Sequence, residues 1–234
     1  WRDCDDSRFS LFASWSGRKK KQLTPFIRSQ TPQSMVCCCT CATDAIVYYM
    51  QLTTGTHQDH AAQQYGINIG RFMRNDFMDD EVHETIFLNN GGFPHHMIDR
   101  LLTTADSSGL QKSMANSIRL KFKRSVDPAQ IIFDTVREHL EDCGPIIVCG
   151  FRVFPSYLDT STMEFHGDWN VLKGNNDGYH AFLITGVHKT VDGSKGGIVF
   201  EVQDSLQGRP FVNIGFDLLR SMNVKYIGIE EGAV

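Results

Sequence analysis

One well-punctuated helix divides this chain into two kinds of sequence and constrains its fold more than any other feature. Asp127-Pro128-Ala129-Gln130 supplies an N-cap, a proline at the first helical position and a glutamine suited to a capping box. Ile131, Ile132, Val136 and Leu140 form the apolar stripe, and Gly144-Pro145 ends it. Upstream, Ala42, Ala45, Ile46, Tyr49 and Met50 recur at three- and four-residue steps and predict a helix from Cys37 to Leu52, stopped by Thr54-Gly55. A further helix is predicted after Asn89–Pro94, with Met97, Ile98, Leu101 and Leu102 on one face. Downstream, the β-branched and aromatic runs Pro145–Gly150, Ala181–Val187, Ile198–Gln203 and Val224–Ile229 predict strands. The Gly193–Gly197 stretch between two of them reads as a hairpin turn, since it opens no helix and so is no phosphate loop. Residues 1–36 read as irregular, with Gly17, Pro25 and Pro32 as breakers. Helices first and strands afterwards argue an α+β fold of two lobes.

Composition excludes several function classes. A hydrophobic content of 41% and a charged content of 21% are those of a globular domain, and 234 residues suffice for one large domain or one of two lobes. A formal charge of −4 leaves no electrostatic footprint for nucleic acid or anionic lipid, and Lys19-Lys20-Lys21 reads as a solvated run. No apolar run approaches the ~20 residues of a membrane span. Trp1–Asp6 has neither the basic start nor the apolar core of a secretory signal, and the compartment is left open. Seven cysteines, four of them within five positions, do not make a spaced disulfide framework.

That cluster, Cys37, Cys38, Cys39 and Cys41, opens the first predicted helix, and His180 opens a predicted strand far downstream. A thiol at a helix N-terminus beside an imidazole is activated toward the thiolate. The acyl chemistry that follows needs an oxyanion donor and a polar group to hold the imidazole. Candidates for all four parts occur in the order Gln, Cys, His, Asp. A zinc site is the competing reading, but Cys-Cys-Cys-Thr-Cys lacks a second spaced pair, and Cys143 and Cys149 would join it only by tertiary accident. His57, His60, His95 and His96 read as surface histidines, so no metal and no cofactor is expected. For His180 the bland alternative is a satisfied core histidine.

In these motifs the chain resembles the papain-like (C1) cysteine peptidases. Trp15, Thr24-Pro25 and Ile27–Gln30 are similar to the family's mature N-terminal segment, and Cys37 through Gly55 to its nucleophile helix. Asn90-Gly91-Gly92-Phe93-Pro94, Gly144–Val148, Gly178–Ala181 and Gln203–Leu206 resemble later family segments in order. The resemblance implies a papain-like fold with a helical N-terminal lobe at about 30–120 and an antiparallel, β-barrel-like lobe at about 121–230. Together these form one catalytic domain over 15–234, preceded by an extension over 1–14. It implies a cysteine-type peptidase with Cys37 as nucleophile, His180 as base, Asp204 orienting the imidazole and Gln30 completing the oxyanion hole. Gly91, Gly92 and Ala181 would bind substrate. Peptides or proteins would be the substrates and protein inhibitors of proteases further partners, and the chain would be a monomer that binds neither nucleic acid nor membrane. Family members reside in lysosome or vacuole, or outside the cell.

The departures are specific. Cys38 stands at the family's tryptophan after the nucleophile, and Leu206 at the tryptophan that shields the histidine pair. Asp204 replaces asparagine, and Ser34 and Asn89 stand where the resemblance would place a disulfide. The spacer from Gln30 to Cys37 is one residue longer than usual. Register favours Cys37 over Cys39 and Cys38 as nucleophile. A papain-fold binding protein without catalysis is the alternative.

Overall fold

The computed structural model describes residues 7–12, 23, 25, 41, 44, 45, 47–49, 51, 52, 118–123, 133–174, 178–190, 197–206, 208–222 and 224–231. At their centre is one mixed sheet of eight strands: β1 (Arg8–Ser10), β2 (Ile118–Lys123), β3 (Ile146–Arg152), β4 (Glu164–Phe165), β5 (Tyr179–Lys189), β6 (Ile198–Gln203), β7 (Phe211–Gly215) and β8 (Lys225–Glu231). The order runs β2-β8-β3-β5-β6-β7-β4, with β1 added along β5. Pairing is antiparallel except between β4 and β7, which run parallel.

Strand β5 lies centrally because it is apolar on both faces. Ala181, Phe182, Leu183, Ile184 and Val187 are all buried, the continuous pattern of a strand covered on two sides. Its neighbour β3 carries a bulge between Cys149 and Phe151, where Gly150 adopts φ +83°. Glycine tolerates that conformation without a Cβ clash, and the extra residue brings Phe151 opposite His180.

Helix α2 (Phe133–Cys143) carries Asp134 in its first turn, which complements the helix dipole. It buries Phe133, Val136 and Leu140, and packs on β5 and β8. Gly144 ends it at φ +87°, where a Cβ would lie 3.2 Å from Leu52 Cδ1 and 3.7 Å from the Tyr49 backbone nitrogen. The helix stop is therefore also the seat of another helix. Every described residue between 41 and 52 is helical (α1), and Cys41, Ala45, Val47, Tyr48 and Tyr49 are buried. A helix buried on several sides belongs to the core. Two short helices, α3 (Trp169–Leu172) and α4 (Phe216–Ser221), and a 3₁₀ turn over Pro155–Leu158 complete the described elements.

The predicted strand Ile198–Gln203 is met residue for residue, and those at 145–150, 181–187 and 224–229 are met with longer or shifted ends. Two segments differ from expectation. Arg8–Ser10, read as irregular and assigned to an N-terminal extension, pairs with β5 through Phe9 opposite Val187, and Leu11 is buried behind it. Ile118–Lys123, at the predicted end of the helical lobe, is a strand paired with β8. The predicted helix after Pro94, the Thr54-Gly55 stop, the Asp127–Gln130 cap and most of the predicted helical lobe lie outside the described residues.

Candidate active site

His180 stands second in β5, and Asp204 directly follows the last residue of β6. The antiparallel register sets Leu183 opposite Gln203, which brings the start of β5 beside the end of β6. Across that junction His180 Nε2 and Asp204 Oδ1 lie 2.6 Å apart. Both residues are buried, at 9% and 2% exposure, so the interaction is shielded from competing water. With Nε2 engaged by the carboxylate, Nδ1 is the ring nitrogen a thiol would have to reach.

The carboxylate is held on both oxygens. The backbone N–H of Leu206 donates to Oδ1 at 3.1 Å, and the Tyr157 hydroxyl donates to Oδ2. Burial pushes the Asp204 carboxyl up, but the His180 charge and the hydrogen bonds from His180, Tyr157 and Leu206 together bring it below the usual carboxylate range. Asp204 is thus an anion at neutral pH and holds the imidazole as a charged acceptor.

Sequence reasoning missed Tyr157. It lies in the 3₁₀ turn, 1% exposed, with its ring edge-on to His180 at 6.1 Å between centroids. Phe151 at 4.8 Å and Phe165 at 5.1 Å pack against it. Burial raises its hydroxyl pKa first, and the Asp204 charge and hydrogen bond raise it further, so the proton stays on tyrosine. An aromatic ring thus lies against His180 from Tyr157, while Leu206, which stands at the family's tryptophan, contributes its backbone N–H. The only available signal was an aromatic in a Pro-Ser-Tyr turn, which is a weak one.

Helix α1 reaches this junction through Gln203. Tyr48 Oη donates to Gln203 Oε1 at 2.5 Å, and Gln203 Nε2 donates to Asp44 Oδ2 at 3.2 Å, all among buried side chains. Cys41, three positions before Asp44 on the same helix, is buried. Ala181 is buried in β5 opposite Cys149. Gln30, Cys37, Cys38, Cys39, Gly91 and Gly92 lie outside the described residues.

No protein-family model and no curated protein sequence matches the chain. Among solved structures it is similar to xylellain, a cysteine protease from Xylella fastidiosa, at 13% identity over 97% of this chain and 87% of that one, with a TM-score of 0.51. At that identity the likeness shows a shared mixed α+β fold.

Proposed function

We propose that the chain is a cysteine-type peptidase of the papain-like kind. The observation that carries this reading is the buried His180–Asp204 pair, with the cysteine-bearing helix docked beside it through Gln203. Cys37 stands four positions before Cys41, the spacing at which side chains share one helix face. In this reading Cys37 attacks the scissile carbonyl as a thiolate. His180 carries the proton from the thiol to the leaving amine, and water then hydrolyses the thioester. Gln30 and the Cys37 backbone N–H hold the oxyanion, and Asp204 keeps the imidazole in the required tautomer. An extended peptide lies along Gly91-Gly92 and past Ala181, and protein inhibitors of proteases bind the same cleft of a monomer. The likeness to a cysteine protease of known structure supports the assignment.

The test is labelling with an epoxide-type thiol reagent, followed by mapping of the modified peptide. Fast modification of Cys37 alone is expected, lost in His180→Ala and in His180→Gln. Slow labelling spread over the cysteines, indifferent to His180, would sink the assignment.

A further inference from the structure

Asparagine and aspartate ask different things of their surroundings. An amide presents one oxygen and one N–H pair, whereas a carboxylate presents acceptors on both sides and, when buried, needs donors on both. Asp204 has them: His180 and the Leu206 N–H at Oδ1, and the Tyr157 hydroxyl at Oδ2. We propose that Tyr157 is the positioning residue of this site, its hydroxyl fixing the Asp204 carboxylate so that Oδ1 meets His180 Nε2. The inference rests on the peptidase reading and adds to it a residue that the family resemblance did not single out.

Three independent features of the geometry carry it. The hydroxyl is buried and directed at the oxygen that His180 does not use. The ring is clamped by Phe151, Phe154 and Phe165, so the hydroxyl has little freedom to turn away. The backbone of Tyr157 is itself tied down, because Arg209 Nη2 donates to its carbonyl at 2.7 Å while the guanidinium stacks on its ring at 4.6 Å. Among the described residues, the charged or titratable groups that face this assembly are His180 from β5, Arg209 across the tyrosine ring, and Cys41 from α1. Asp44 approaches through Gln203. Tyr157 stays protonated among them and so acts as donor throughout the working range.

Tyr157→Phe keeps the ring and removes only the hydroxyl, so the fold is retained. In the full chain, kcat on a peptide substrate is expected to fall about 10- to 100-fold with KM nearly unchanged, the range of a lost hydrogen bond to a charged group. In an Asp204→Ala background the same change is expected to cost nothing further, because its effect passes through the carboxylate. Independently of activity, the ring ¹³C and ¹⁵N resonances of His180 report the coupled titration with Asp204. Its acid step is expected to move to higher pH in Tyr157→Phe, since a donor that favours the anion is gone. A Tyr157→Phe chain with unchanged kcat and unchanged titration overturns the proposal, as does an equal loss in the Asp204→Ala background. Wild-type chain with neither hydrolysis nor His180-dependent labelling overturns the peptidase reading instead, and the resonance titration still decides the role of Tyr157.

Discussion

At the scale of single residues, the choice of aspartate at 204 shapes both chemistry and stability. Its carboxyl is held below the range near 4 that an unfolded chain would show, against the burial that pushes it up. The linkage follows from that sign. Above the unfolded value the native anion contributes its full stabilisation, and this is lost as pH falls through the lower, folded value. Asp204→Asn is therefore expected to be less stable than wild type at neutral pH, with the gap closing below about pH 4. Urea unfolding at several pH values checks this, and a gap that stays constant down to pH 2 would contradict it. His188 runs the other way. Burial and the neighbouring Arg8 charge lower its pKa, so protonation opposes folding as pH drops below about 6.5. His188→Gln should thus relieve acid sensitivity near pH 5 and leave stability at pH 8 unaffected on this account.

At the scale of elements, the turn that carries Tyr157 is held by one buried arginine. Arg209 is fully buried, and it donates to the carbonyls of Tyr157, Asp159 and Thr162 at 2.7, 3.1 and 2.9 Å while stacking on Tyr157 and Phe165. Three charge-assisted bonds to backbone replace the regular ladder that this irregular segment lacks. Arg209→Ala is expected to cost about 3–5 kcal/mol, at the upper end for one substitution. Lysine should recover only part, because its ammonium lacks the planar fork. Denaturant melts measure the loss, and hydrogen exchange at the Tyr157 and Thr162 amides should accelerate ahead of the sheet. None of this was legible in the sequence, where nothing but the adjacent Gly208 and Pro210 marks Arg209. The long apolar runs were legible, since β5, β6 and the helix before Gly144 carry periodicity and stops of their own. Strand β2 also carries a two-residue alternation in Ile118, Leu120 and Phe122, but it stands in a half of the chain dominated by helical spacing. Strand β1 is three residues long and acquires its structure only by pairing with β5.

At the scale of the whole molecule, the candidate site depends on where one helix stands against one sheet. His180 and Asp204, which the motif order sets in one site, lie 2.6 Å apart because both stand at ends of adjacent strands with strong local signals. How the cysteine helix is held against them could not be read, because Gln203 reads as part of a Gln-Asp-Ser-Leu motif and a polar residue type alone does not mark Asp44 as its buried partner. In the fold these two are buried and bonded, with Tyr48 completing the link. A buried amide satisfied on both its oxygen and its nitrogen fixes register between α1 and β6 in a way that apolar packing alone does not. Removing one member leaves the others underpaired, at about 1–3 kcal/mol each. Gln203→Ala and Tyr48→Phe should therefore be non-additive, with a coupling of about 0.5–3 kcal/mol in a double-mutant cycle by urea unfolding. If α1 also carries the nucleophile, each of these variants should slow epoxide labelling of Cys37 while leaving the His180–Asp204 titration in place. Additive stabilities together with unchanged labelling would mean that the helix is positioned by its apolar faces, with Gln203 merely satisfied between them.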